Sequence, residues 1–205
     1  MKYEKRIVCY FDILGFSSKV CNKTIDVVEI EKLFNDISSI INDYPQDRIT
    51  ISYFSDSFVV SIFYRTAAPT QLEFIIDALE KLLEYKLIAR GAMVYGEVRH
   101  TDKNVYGPAM VKAVHLEKYA KYPRLILDES LDELPLPTFG NESITYRSFF
   151  NDYKYVKTDS VDGQFYIDLL GELKKKKKLD KHKSILESLI SNGLQDDNLF
   201  ENSHG

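Results

Sequence analysis

An α+β fold, with an antiparallel sheet carrying helices on one face, is what this chain predicts, and three observations predict it. Residues 5–12 are a continuously apolar run of strand type. Two amphipathic helical patterns follow, beginning at Thr24 and Thr70, with a pair of β-rich segments between them that meet at a polar tip. A last β-rich segment, "KLIARGAMVYGEV", closes the series. The order β-α-β-β-α-β is the ferredoxin-like arrangement, which leaves one sheet face available for a ligand or partner.

Ile7, Val8, Cys9, Tyr10 and Phe11 make the first strand apolar on both sides, as suits a central strand. It ends in Asp12, before the turn at Gly15. An unpaired carboxylate there is costly, so a positive partner is expected beside it. From Thr24, Val27, Val28, Ile30, Leu33, Phe34, Ile37, Ile40 and Ile41 recur near helical spacing, and Pro45 stands just past the end. "RITISYFSDSFVVSIFY" divides around Ser55, Asp56 and Ser57, which puts Asp56 at a hairpin tip. After Pro69, "TQLEFIIDALEKLLEY" is the second helix.

Downstream, "GPAMVKAVHLEKYA" predicts a helix with Pro108 in its first turn, where a missing N–H does little harm. "PRLILD" predicts a strand, "LDELPLPTFGNES" a loop, and "YKYVKTDSVDGQFYIDLL" a hairpin turning at Asp162-Gly163. Residues 1–168 then form one domain, and 169–205 a C-terminal helix and flexible tail, frayed over "QDDNLFENSHG". Lysines 174–178 are expected on a solvated helix face, with Ile185, Leu186, Leu189 and Ile190 docking that helix on the body or on a second subunit.

A chain of 205 residues can bury a proper core in a single domain. No apolar run approaches the roughly 20 residues of a membrane helix, and "MKYEKRIV" has no signal-peptide pattern, so a cytoplasmic protein with no membrane partner is expected. Two cysteines, Cys9 and Cys21, are too few for a disulfide framework or a zinc site and are expected to be reduced. A net charge of -4 gives no general attraction to nucleic acid. A small phosphate-bearing ligand held by a local site suits this balance better than a polyanion.

In this topology the first and third strands are neighbours, so Asp12 and Asp56 are expected to meet. Either Asp alone is a common turn or cap residue. Together, at adjoining strand ends, they repel unless a cation intervenes, and hard carboxylate oxygens favour Mg²⁺ or Mn²⁺. Gly15, Phe16 and the helix beginning nearby are candidates to offer backbone N–H groups to phosphate.

"FDILGFS", "YFSDSFVVS", "RGAMVYGEV" and "VYGPAMVKAVHLEKYAKYPR" together resemble the class III nucleotidyl cyclase catalytic domain. More narrowly, they are similar to the small stand-alone bacterial pyrimidine cyclases of Pycsar anti-phage defence. The resemblance covers roughly residues 5–168. It implies ring closure of a nucleoside triphosphate to a 3′,5′-cyclic monophosphate plus pyrophosphate, with two Mg²⁺ or Mn²⁺ ions per active site, in a head-to-tail homodimer. Asp12 and Asp56 match the two metal-binding acids, and the Ile13 carbonyl a further ligand.

Adenylyl cyclases of the class carry a Lys and an Asp at the positions of Ser52 and Asn104, so the adenine readers are missing. Asn104 offers a donor and an acceptor to a pyrimidine edge, and Tyr53 and Phe54 offer ring surface, although strand packing would use the same rings. Strand alternation points Ser52 and Phe54 the same way as Asp56 and turns Tyr53 towards the helices. The class also has an Asn and an Arg that steady the transition state; Val111 and His115 stand there. A protonated His115 would donate to a developing charge, and Arg90, Lys112, Arg124 and Lys157 are the other candidate cations.

The expected activity is a uridylate cyclase acting on UTP, with a cytidylate cyclase acting on CTP as the alternative. The resemblance further implies an effector reached through the cyclic nucleotide. Two rivals stand beside this. One is a catalytically silent cyclase-like module that binds a nucleotide. The other is an RNA-binding ferredoxin-like domain, against which the acidic charge and the lack of an RNP-type aromatic motif weigh.

Overall fold

Strand β1 (Glu4–Ile13) is hydrogen-bonded along both edges, which accounts for its unbroken apolar run. Its antiparallel neighbours are β3 (Ser57–Ile62) and β4 (Ala89–His100), and β2 (Ile49–Phe54) lies outside β3. The computed structural model describes residues 2–43, 49–63, 73–120, 122–134 and 156–201. Beyond β4 the sheet continues through β6 (Leu125–Leu127), β8 (Phe165–Ile167) and β7 (Val156–Thr158), and the two-residue β5 (Val105–Tyr106) pairs with β4 off this path. The segment β2-β3-β1-β4 is the expected ferredoxin-like order within an eight-stranded, mostly antiparallel sheet, in which β6 runs parallel to β4.

Six α-helices accompany it among the described residues. Helix α2 (Val27–Asn42) starts at Asp26, whose carboxylate accepts the Glu29 N–H at 2.8 Å, and buries Leu33, Ile37 and Ile41 at successive turns. Helix α3 (Glu73–Glu84) buries Phe74, Ala78 and Leu82 beside it. A six-residue helix α1 (Phe16–Cys21), which the sequence pattern did not separate, follows the Gly15 turn. Pro45 and Pro69, expected to flank these helices, lie outside the described residues.

The period of two sorts the sheet into two faces. Ile7, Cys9, Phe11 and Ile13 enter the main core with Phe58, Val60, Ile62 and the α2 and α3 side chains. Val8 and Tyr10 point the other way, where Val59, Val94 and Val98 pack on Ala109 and Ala113 of α4 (Pro108–Glu117). The second face is therefore partly covered by α4 rather than wholly free. Alternation carries Arg6 and Asp12 of β1, Ser57 and Ser61 of β3, Ser52 of β2 and Arg90 of β4 onto this same face.

The C-terminal region is two helices, α5 (Leu169–Lys175) and α6 (Leu179–Glu201), parted at Lys177, whose φ is 56°. The expected fraying over 195–205 is not what the backbone does up to Glu201, which is helical; residues 202–205 lie outside the described residues. The lysine run is more than a solvated face. Lys176, Lys178 and Lys181 bond Asp77, Glu80 and Glu84 of α3 at 3.1, 2.8 and 2.7 Å. Leu173 and His182 are buried and Ile185, Leu186 and Leu189 half-buried; the Ile190 side chain lies outside the described residues. No helix among the described residues is long and apolar enough to cross a membrane.

A Cβ on Gly91 would sit 2.1 Å from the Tyr10 carbonyl oxygen, so Gly91→Ala is expected to lower stability in urea unfolding by about 1–3 kcal/mol or more. Hydrogen bonds from Lys181 and Lys81 hold the Glu84 carboxyl down at about 2. A depressed carboxyl stabilises the fold above its ordinary range and loses that contribution as pH falls through its folded value. Hydrogen-exchange protection factors over 179–191, corrected for the intrinsic rate, are expected to fall only as pH drops from about 4.5 towards 2.

Candidate active site

Two turns bring the acids of the sequence motif together. Asp12 pairs with Ser57 in the β1–β3 ladder, and Asp56 is the second residue of the two-residue turn between β2 and β3. Ser55 before it has φ 57°, a left-handed conformation that makes the turn tight. The Asp56 carbonyl accepts the Ile13 N–H at 2.9 Å, which ties the strand end to the hairpin tip. Ser57 Oγ donates to Asp12 Oδ1 at 3.1 Å, and Ser17 Oγ of α1 donates to Asp56 Oδ2 at 3.2 Å. The Tyr10 hydroxyl is 3.0 Å from Ser57 Oγ.

Burial pushes the Asp12 carboxyl above the usual range, and the negative charge of Asp56 pushes it further. The Ser57 hydrogen bond opposes them, and Arg90, its cross-strand neighbour, is the weakest influence of all. The positive partner expected beside Asp12 is therefore present but engaged elsewhere, because Arg90 Nε bonds the buried Glu117 carboxylate of α4. The net result is an Asp12 carboxyl raised first by burial and then by repulsion from Asp56. A divalent ion would remove that repulsion, and two carboxylates ringed by hydroxyls are an oxygen donor set that suits Mg²⁺ or Mn²⁺. Ile13 has a buried side chain, so only its backbone carbonyl is of use to such an ion.

Beside the pair, a groove of about 640 Å³ is lined by Tyr10, Ser57, Ser52, Phe54 and Asn104, with Met110 of α4 on its far wall. Phe54 is 86% exposed. Tyr53 touches the groove as well, yet its ring stacks on Phe34 of α2 at 5.1 Å, facing the helices as alternation requires. Gly15 caps α1 with φ 71°, a conformation that glycine adopts readily. The Phe16 ring is buried against Phe34, so Phe16 has only its backbone N–H to offer a ligand.

The remaining candidates are elsewhere. His115 and Val111 are exposed on the side of α4 opposite buried Ala109 and Ala113, on a shallow surface shared with Tyr3 and Tyr106. Lys112 is bonded to Asp128 at 2.6 Å, Arg124 to Asp159 and Asp162, and Lys157 to Asp168. All four non-histidine cations considered from sequence are thus ion-paired. Among the described residues, the one group of three His, Cys, Asp or Glu side chains with metal-ligand spacing is Glu80, Glu84 and His182, between α3 and α6. Its carboxylates already carry Lys81, Lys178 and Lys181. Both cysteines are free thiols.

No family model and no curated protein matches the chain. Solved structures do. A monomeric guanylyl cyclase domain of the RhoGC fusion protein from the aquatic fungus Blastocladiella emersonii has a TM-score of 0.53 at 16% identity, covering 81% of this chain and 95% of that one. A non-canonical dimeric form of that domain has a TM-score of 0.53 at 17% identity, over 82% and 94% of the two chains. The guanylate cyclase domain of RhGC from Catenaria anguillulae, in complex with GTP, has a TM-score of 0.51 at 16% identity, over 82% and 97%. The chain has the fold of a class III nucleotidyl cyclase catalytic domain.

On this cyclase fold, several residues of the site escaped the sequence reading. Ser57 follows directly in "SDS" and Tyr10 is two residues before Asp12, so alternation alone would have found both. Glu117 lies in the helix motif, but its ion pair with Arg90 depends on a crossing that sequence does not encode. His100, buried with both ring nitrogens hydrogen-bonded to serines, carried no local signal.

Because the Asp12 carboxyl is raised in the folded chain, ionising it costs stability as pH rises through that value. Asp12→Asn is expected to raise the melting temperature of metal-free protein at pH 7. Wild type should gain from Mn²⁺ by about 2.7 kcal/mol at 100 times Kd, and the variant should lose that gain. Differential scanning calorimetry with and without Mn²⁺ reads both.

Proposed function

We propose that this chain is a pyrimidine nucleotide cyclase that converts UTP to 3′,5′-cyclic UMP and pyrophosphate. The observation that carries the reading is the repelling Asp12–Asp56 pair, on a cyclase fold, beside a groove lined by Ser52 and Asn104. Two Mg²⁺ or Mn²⁺ ions would neutralise phosphate charge there and acidify the attacking 3′-hydroxyl. Asp12, Asp56 and the Ile13 carbonyl would hold them. The Gly15 turn and the Phe16 N–H would meet the phosphates, and Ser57 and Ser17 would keep the carboxylates aimed. Ser52 and Asn104 would read the base, with Phe54 as a ring surface against it. Most of the rate would then come from positioning and charge neutralisation, with no protein base required.

The exposure of His115 and Val111 on α4 suits a role in the site of a second copy, as in a head-to-tail homodimer. Arg90 would stay a positioning residue, since its guanidinium holds Glu117. The cyclic product would act on a separate effector, as in anti-phage defence. CTP is the competing substrate. A second reading, a silent module that binds a nucleotide without closing the ring, is favoured by the pairing of Arg90, Lys112, Arg124 and Lys157 with acids, which leaves none of these four for a triphosphate.

Incubation of purified protein with each of the four NTPs and Mn²⁺, followed by separation of the products, tests the reading. Cyclic UMP is expected in greatest yield, and Asp56→Ala should cut turnover by about 100-fold or more while the far-UV spectrum is unchanged. Undiminished turnover in that variant would defeat the proposal. NTP binding with no cyclic product would select the silent module.

A further inference from the structure

Behind Ser52 runs a chain of hydrogen bonds that no packing requirement explains. Ser52 Oγ is 2.9 Å from His100 Nε2, and His100 Nδ1 is 2.9 Å from Ser61 Oγ. Arg6 Nη1 donates to Ser61 Oγ at 3.4 Å and to Thr50 Oγ1 at 3.2 Å. Arg6 is itself held by Glu4, to which Nε and Nη2 donate at 3.0 and 2.7 Å. Ser61 is 0% exposed and His100 5%, whereas Ser52 lines the groove.

Donor and acceptor roles can be followed along this chain, because one end is fixed. Arg6 has no acceptor to offer, so Ser61 Oγ receives from it and must place its own hydrogen elsewhere. His100 Nδ1, 2.9 Å away, is placed to accept that hydrogen, and the direction of this one bond sets the tautomer of the ring. Burial, reinforced by the charge of Arg6, pushes the His100 imidazole down to about 4, so it carries a single proton at neutral pH. With Nδ1 accepting, that proton is on Nε2. Nε2–H then donates to Ser52 Oγ, which leaves the Ser52 hydrogen, with one lone pair beside it, for the groove.

We propose that Arg6, Ser61 and His100 are positioning residues that hold the Ser52 hydroxyl as a donor, so that the groove prefers a base bearing a carbonyl oxygen over its amino counterpart. The preference is uracil over cytosine, and guanine over adenine if a purine enters. It rests on reading the groove as the base site. Had the ring been turned the other way, Ser52 would donate to His100 and present only lone pairs, which suit an exocyclic amine.

Two measurements test this. Histidine ¹⁵N spectra of the whole protein at pH 7, with His100 assigned by the loss of its signals in His100→Gln, should show Nε2 protonated and Nδ1 bare. The opposite tautomer, or a doubly protonated ring, overturns the proposal without touching the cyclase reading. Separately, KM for UTP should be about tenfold below KM for CTP, one hydrogen bond's worth. Ser61→Ala should narrow the ratio to about twofold through KM, and Ser61→Thr, which restores a hydroxyl, should recover it. Wild-type KM values that are equal, or lower for CTP, overturn the preference and leave the cyclase intact. Failure of all four NTPs to bind or react overturns the nucleotide reading, and the preference with it.

Discussion

Two like charges held at adjoining strand ends are the constraint on which this site depends. Asp12 and Asp56 do not stabilise the fold by meeting; burial and mutual repulsion both raise the Asp12 carboxyl. They stay together because the apolar core beneath them leaves no other register. Phe11, one residue before Asp12, lies parallel to Phe58 with ring centroids 5.1 Å apart and planes within 6°. A slip of one residue would drive Asp12 into that core and bring Phe11 out, forfeiting about 1.5–3 kcal/mol for the one phenyl ring alone. Core packing therefore bears the cost of holding the two acids face to face.

The second sheet face is polar where α4 leaves it uncovered. Along it run the acids with Ser57 and Tyr10 at one end, Ser52 and Asn104 in the groove, and His100, Ser61 and Arg6 behind. Hydroxyls dominate this strip, and they suit it because each can donate or accept as its neighbour dictates. The strip is ordered at both ends, by carboxylates on one side and by a guanidinium on the other. Two separate hydrogen-bonded groups lie on this face, Asp12–Ser57–Tyr10 and Ser52–His100–Ser61–Arg6.

The basic side chains serve architecture more than ligand. Arg90 fastens α4 to β4 through Glu117, Lys112 joins α4 to Asp128, and Arg124 braces the β7–β8 turn through Asp159 and Asp162. Exposed pairs of this kind add little stability each, but Arg124 and Glu117 are buried, and removing either partner would strand a charge. The lysine run does the same for α5 and α6 on α3. A charge run reads as solvated when only its own helix is considered, and these lysines face acids of α3 that lie about a hundred positions away in sequence.

Local pattern in the chain sufficed for β1, α2, the β2–β3 hairpin, α3, β4 and the Pro108 helix, because periods of 2 and 3.6 are properties of neighbouring residues. It sufficed also for the meeting of Asp12 and Asp56, since that needs only strand order, and for the turn of Tyr53 towards α2. What tertiary structure decided was which charges are already spent. Whether Arg90 answers Asp12 or Glu117, whether the lysines face water or α3, and what stands behind Ser52 all depend on side chains from distant segments arriving at one place. Coulomb and hydrogen-bond energies fall steeply with distance, so those assignments exist only once the chain has closed on itself.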